Sequence, residues 1–261
     1  LKTLLKRKFE PLFLAFYFVK NRKKHPRLLI REAVKKISNF GIVHKEDFLL
    51  VRDKLNADFE HFVFSYYPLE FILEDIDEGN LNSNNILLGN SSFLSNNHFE
   101  ALEILSEMGV DNRKIVAPLS YGDLDYAKEV AKVGKSKFNE RFIPIMEFMP
   151  LQEYNKLLKS CNVAIFNNYR QQAIGNTITL LWMGSKVYLD ERNTFYQFLK
   201  RKGIHVFSVN NDLNSSNINA LKPLTSNERK LNREILLKEL SSDVLLRKLH
   251  FQIESIANNS I

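Results

Sequence analysis

Beyond residue 85 the chain alternates short apolar runs with segments of helical periodicity, and that alternation leaves few folds open. Strands are predicted at residues 85–88, 114–118, 141–145, 163–166, 186–189 and 204–209. Helices are predicted between them, near 96–108, 123–133, 151–160, 171–183 and 194–202. A run such as Val163-Ala164-Ile165-Phe166 has no polar alternation, so both of its faces must be covered. Strands buried on both faces and joined by helices make a parallel, doubly wound sheet, an α/β fold. Ligands of such sheets sit beyond the carboxyl ends of the strands.

Two strand-to-helix turns carry polar side chains suited to that place. Ile86-Leu87-Leu88 runs into Gly89-Asn90-Ser91-Ser92, and a helix is predicted to open at Ser95 or Asn96 with His98 in its first turn. A glycine after a strand lets a ligand approach the backbone, and Asn and Ser add short donors. Free backbone N–H groups and a positive helix end attract phosphate. Further on, Phe166 is followed by Asn167-Asn168-Tyr169-Arg170-Gln171-Gln172-Ala173-Ile174-Gly175-Asn176. Arg170 offers a bidentate fork to a diphosphate, and Gln171 and Gln172 offer amide donors at a helix start. Tyr121 and Gly122 follow the strand ending at Pro118, and the ring can stack on a base. The turns outline a crevice for a nucleoside diphosphate, in which a neutral imidazole at His98 suits contact with phosphate or ribose. The plainer alternatives are a loop whose Asn and Ser merely cap a helix, and an exposed polar loop after Phe166.

Charge is unevenly placed. Residues 1–36 hold twelve basic side chains against Glu10 and Glu32, whereas the whole chain is only +7, so the remainder is net acidic. Leu4, Leu5, Phe9, Leu12, Phe13, Phe16 and Tyr17 recur at helical spacing among those charges. A basic amphipathic segment of this kind lies on an anionic lipid surface, packs its apolar stripe on its own domain, or, without any reading module to support it, meets nucleic acid. The apolar run 11–19 is too short to span a bilayer, and no signal-peptide cleavage site accompanies it. The chain starts at Leu1, which reads as part of something longer.

A lone cysteine, Cys161, excludes a disulfide framework and reads as a buried structural thiol in a reducing compartment. The six histidines are scattered without zinc spacing. Asp75-Ile76-Asp77 and Asp123-Leu124-Asp125 both spell an acid pair used for divalent ions, but the first lies in an Asn-rich acidic stretch and Asp123 more simply caps a helix. No metal or other cofactor is expected. P-loop, dinucleotide-binding and nucleophile-elbow motifs are all missing.

The first part reads as helix to about residue 39, then strand 40–44, helix 45–54 and strand 61–65. The expected domains are 1–73 with the basic start, a linker at 74–85, a nucleotide-binding domain at 86–224, and a helical tail at 225–261.

At these residues the chain resembles the TDP-N-acetylfucosamine:lipid II N-acetylfucosaminyltransferases, the 4-acetamido-4,6-dideoxygalactosyltransferases of enterobacterial common antigen assembly. A family pattern of strand, G-N-S, S-N-x-H and A-L is matched by Gly89, Asn90, Ser91, Ser95, Asn96, His98, Ala101 and Leu102. An R-Q-Q-x-I-G signature is matched by Arg170, Gln171, Gln172, Ile174 and Gly175, and the likeness extends over roughly residues 40–215. It implies a metal-independent GT-B glycosyltransferase of two Rossmann-like domains, the second complete and the first partial. It implies transfer of a deoxy-amino sugar from a TDP-sugar to a polyprenyl-diphosphate-linked saccharide, on the cytoplasmic face of the bacterial inner membrane as a peripheral protein. On that reading Arg170 and His98 are catalytic, and Gly89, Asn90, Ser91, Ser92, Tyr121, Gln171, Gln172, Gly175 and Asn176 bind the donor. The expected partners are nucleotide sugar, lipid-linked acceptor and anionic membrane, with no nucleic acid. Two departures stand out: the family's Trp-Gly-Ala-Asp-type segment has no match, and Glu191-Arg192 is transposed. The alternatives are a GT-B enzyme using a UDP- or GDP-sugar with another acceptor, and a non-catalytic module docking on membrane or nucleic acid.

Overall fold

The computed structural model describes residues 10–23, 25–65, 68–73 and 84–259. Its contacts divide the chain into two compact units, Leu1–Val63 and Phe64–Ile261.

The first unit contains α1 (Glu10–Asn21), α2 (Pro26–Val34), β1 (Asn39–Gly41), α3 (Lys45–Leu55) and β2 (Glu60–Phe62). The strands pair in parallel with Phe40 opposite His61. Val34, Phe48 and Phe59 form its small core, with Phe40 stacked on Phe59. Where the sequence predicts a single N-terminal helix, the described residues form two. Arg22 takes φ 53, and α2 restarts with Pro26 in its first turn and His25 accepting a hydrogen bond from Arg27 N. Proline fits the first turn of a helix but would break an interior, so one continuous helix was excluded locally.

The second unit is the predicted sheet. It comprises α4 (Leu69–Ile72), β3 (Asn85–Leu88), α5 (His98–Met108), β4 (Ile115–Pro118), α6 (Leu124–Phe138), β5 (Phe142–Ile145), α7 (Leu151–Lys159), β6 (Cys161–Phe166), α8 (Ile174–Met183), β7 (Lys186–Leu189), α9 (Thr194–Arg201), β8 (Phe207–Ser208), α10 (Ser226–Leu240) and α11 (Ser242–Asn259). Its six strands are all parallel, in the order β5-β4-β3-β6-β7-β8. The period of two in a strand sorts side chains onto two faces. Ile86, Leu88, Val163 and Ile165 meet Leu102, Leu105 and Val130 from α5 and α6. Leu87, Ala164 and Phe166 meet Leu158, Leu181, Leu199 and Leu236 from α7, α8, α9 and α10.

Several boundaries differ from the sequence reading. Helix α6 runs through Gly134 to Phe138, because that glycine makes room for the Phe142 ring, whose atoms lie 2.4 Å from where a Cβ would stand. Residues 68–73, expected in the first domain, group with the sheet unit, since Leu69 is buried in its second core layer. The tail is two helices with Ser241 extended between them, and Leu236 and Leu240 of α10 belong to that same layer. Residues 74–83 of the expected linker lie outside the described residues.

Candidate functional site

In this strand order the chain runs outward from β3 through β4 to β5, then returns to β6 beside β3 and runs the other way. The reversal between β3 and β6 is a topological switch point, where the loops leaving two adjacent strands diverge and leave a crevice. Leu88 is paired with Ile165, so the two polar turns leave neighbouring strands at the same level.

The first turn is held by its own side chains. Gly89 has φ +68, and its N–H donates to Ile165 O at 2.9 Å. Asn90 N donates to Asn96 Oδ1 (3.2 Å), and Asn96 Nδ2 donates to Ser91 Oγ (3.0 Å). The helix expected from Ser95 or Asn96 starts later: Leu94–Asn96 is a 3-10 turn, Asn97 is left-handed, and α5 begins at His98. Asparagine tolerates that conformation better than most residues. Its side chain reaches over to β6, Nδ2 donating to Asn167 O at 2.7 Å.

The turn after β4 is zipped onto the first. Ser92 N and Oγ both donate to Tyr121 O, at 2.8 Å each. Gly122, at φ +121, lies so close that a Cβ would be 2.8 Å from the Ser92 carbonyl carbon, which is why only glycine fits. Tyr121 is half exposed, edge-on to Phe93, and its hydroxyl accepts from Asn90 Nδ2 at 2.9 Å.

The turn after β6 completes the group. Gln172 Nε2 donates to Asn90 Oδ1 (3.1 Å), and Gln172 Oε1 accepts from Ser95 Oγ (2.9 Å), bridging the crevice. Asn193 Nδ2 donates to the carbonyls of Asn168 and Arg170, fixing the loop from below. Arg170 is exposed, and neither its guanidinium nor the Gln171 amide has a hydrogen-bond or ion-pair partner among the described residues. Ala173, left-handed, leads into α8, and a Cβ on Gly175 would meet open space. Asn176 points instead to the neighbouring helix, Nδ2 donating to Tyr154 OH at 2.9 Å.

The structure therefore links Asn90, Ser91, Ser92, Tyr121 and Gln172 through hydrogen bonds beside Gly89, with Arg170, Gln171 and Gly175 in the turn that carries Gln172. His98 stands apart. It is wholly buried behind Gly89, and burial pushes its pKa down to about 4, so it is neutral. Sequence reasoning passed over Tyr126, whose hydroxyl lies 3.3 Å from His98 Nδ1, and Asp190. Arg192 grips the buried Asp190 through Nε (2.8 Å) and Nη2 (2.6 Å), and its guanidinium lies 3.6 Å from the Tyr169 ring centre. Burial works against the Asp190 carboxylate, but those hydrogen bonds prevail and hold its pKa below the usual range. An acid two residues before an arginine, straight after an apolar strand, was the available signal.

Asp123 caps α6, accepting from Asp125 N and Tyr126 N at 3.0 Å. Asp75 and Asp77 lie outside the described residues, among which no cluster of His, Cys, Asp and Glu is placed to hold a metal ion. Cys161 is buried, and burial pushes its thiol up to about 12, leaving it unreactive.

A six-stranded parallel sheet of this order, with polar turns at its switch point, has the fold of GT-B glycosyltransferases. A glycosyltransferase from Rickettsia africae superposes with a TM-score of 0.63 at 14% identity, covering 88% of this chain and 67% of that one. Sucrose-phosphate synthase from Thermosynechococcus elongatus gives 0.66 at 8% identity, covering 91% and 63%. Anabaena HepE in complex with UDP and glucose gives 0.61 at 10%, covering 88% and 66%. The chain thus spans about two thirds of the length of these structures. Residues 35–231 match the model of the 4-alpha-L-fucosyltransferase family, glycosyl transferase group 56, and the chain belongs to that family.

Proposed function

We propose that this chain carries the donor site of a glycosyltransferase, which moves a deoxy-amino sugar of the N-acetylfucosamine type from a TDP-sugar to a polyprenyl-diphosphate-linked saccharide in bacterial surface glycan synthesis. The observation that carries the reading is the meeting of the two turns at the switch point, with Arg170, Gln171 and the Gly175 backbone left open beside them. The diphosphate lies against Gly89–Ser92, and Arg170 and Gln171 turn onto it. There they stabilise the charge that grows on the leaving diphosphate as the glycosidic carbon–oxygen bond breaks. Gln172 trades its bond to Asn90 for the ligand, and Tyr121 faces the sugar or base.

Nothing in this role calls for a metal, because a guanidinium and aligned N–H groups supply the positive charge. The UDP-sugar alternative draws support from HepE, a protein of the same fold in complex with UDP and glucose. Peripheral docking on the cytoplasmic face of the inner membrane fits the first unit. Phe16, Phe18 and Val19 are exposed beside Lys20, Arg22 and Lys23, and no helix among the described residues is long and apolar enough to cross a membrane.

Thermal unfolding with TDP, UDP or GDP tests the donor. A ligand at a hundred times its Kd adds about 2.7 kcal/mol to folded stability. Stabilisation by TDP above the others is expected; preference for UDP or GDP replaces the donor class, and no response to any of them removes the donor-site reading. Arg170→Ala is expected to lower kcat by roughly 10²–10³ while leaving stability near that of the unaltered protein.

A further inference from the structure

His98 is the first residue of α5 and has no solvent exposure, yet its Nε2 has no hydrogen-bond partner among the described residues. An unpaired polar atom in the interior is costly and calls for a reason. The ring is tightly placed. On one side Nδ1 lies 3.3 Å from the Tyr126 hydroxyl, which also accepts from the His98 backbone N–H at 3.2 Å. On the other, Nε2 stands 2.5 Å from the point where a Cβ on Gly89 would be, with Asn96 Oδ1 3.1 Å from the same point. Only a glycine at 89 leaves space for the imidazole in this position.

The tautomer follows from the hydrogen count. Tyr126 is nearly buried, and its hydroxyl oxygen already accepts from His98 N. If Nδ1 carried the proton, the hydroxyl hydrogen and the Nε2 lone pair would both be left unpaired. With Nδ1 accepting the hydroxyl hydrogen, a single Nε2–H remains without an acceptor. That N–H is then a fixed dipole, positive end toward the Gly89 turn, in a buried interior where such dipoles act strongly.

We infer that Tyr126 and His98 are a positioning pair for the diphosphate: Tyr126 locks the imidazole as the Nε2–H tautomer, and the buried N–H presents positive potential behind the turn that receives the anion. This inference rests on the donor-site reading above. The pair touches no ligand; it sets the shape and the potential of the turn that does. The Tyr126 hydroxyl makes no other hydrogen bond among the described residues, and the ring packs edge-on against Phe99. Phenylalanine therefore keeps the packing and loses only the hydroxyl.

The test uses the full chain with ¹⁵N-labelled histidine. Side-chain nitrogen spectra are expected to show His98 neutral with the proton on Nε2, the signal being assigned by its loss in His98→Gln or its shift in Tyr126→Phe. A proton on Nδ1 overturns the inference. Calorimetric titration with TDP, UDP, GDP and inorganic pyrophosphate then compares the unaltered protein with Tyr126→Phe. Loss of the hydroxyl is expected to mix the tautomers and to raise Kd roughly tenfold for whichever of these probes binds. Equal Kd in a folded Tyr126→Phe variant overturns the inference alone. No binding of any probe by the unaltered protein overturns the donor-site reading, and this inference with it.

Discussion

Gly122 and Gly175 both lie in turns of the site, yet a methyl group added to each meets opposite surroundings. At Gly122 it would strike the Ser92 backbone at 2.8 Å in a conformation of φ +121, whereas at Gly175 it meets open space in the first turn of a helix. Gly122→Ala is expected to cost about 1–3 kcal/mol in chemical denaturation. Gly175→Ala is expected to leave stability unchanged or raise it by about 0.4–1 kcal/mol, while weakening nucleotide binding if the ligand passes over that backbone. Equal nucleotide affinity in Gly175→Ala would place the ligand elsewhere. His98 makes a second prediction at this scale. Its pKa falls from an ordinary 6.5 to about 4 because burial disfavours the cation, so the unfolded chain binds the extra proton first as pH drops. The stability it contributes is complete above pH 6.5 and is lost progressively towards pH 4, a span worth about 3 kcal/mol. Unfolding free energies from pH 7 to 4 should fall less steeply in His98→Gln; parallel curves would contradict the burial.

At the scale of elements, helix starts and turn chemistry set the site. Asp123 donates no group to the crevice, but it accepts the first N–H groups of α6 and so fixes where the zipped Tyr121–Gly122 turn ends. Asp123→Ala is expected to cost about 1 kcal/mol, as loss of an N-cap does, and to change catalytic rate by less than about threefold. A rate collapse with intact stability would give Asp123 a chemical role instead. The strands were legible in the sequence because an apolar run bounded by polar turns permits little else, and all six fall where they were read, give or take their ends. Helix α9 also opens where it was read, at Thr194, and there Asn193 caps it by accepting from Phe195 N. The start of α5 was not legible. A 3-10 turn and a left-handed Asn97 intervene, and these depend on Asn97 reaching across to Asn167 O, which no local pattern announces.

For the whole molecule, the division into two contact units puts the proposed donor site within one of them. Every residue of the hydrogen-bonded group lies between Gly89 and Asn176, inside the unit Phe64–Ile261. Hydrogen exchange with and without bound nucleoside diphosphate is therefore expected to gain protection at 89–98 and 170–177, with residues 10–63 little changed. Protection confined to 10–63 would move the nucleotide to the other unit. The likeness to solved structures at 8–14% identity shows the fold, and the match over residues 35–231 shows the family. The sheet order says where a ligand of such a fold goes, and the turn residues bear on which ligand.

The sequence by itself determined the strands, the class of sheet and the residue types at both turns, because hydrophobic periodicity and turn chemistry are local properties. It also set which residues can donate to a phosphate. What only the tertiary structure decided is which of them meet. Strand order put β6 beside β3 rather than at the far edge, so Gln172 reaches Asn90 across 82 positions of chain. The same packing turned His98 inward behind Gly89, away from the open crevice that its place in the motif suggested. Side-chain direction at a helix start is fixed by what fills the space behind it, and here that space lies between a glycine and the Tyr126 hydroxyl, neighbours only once the sheet has folded.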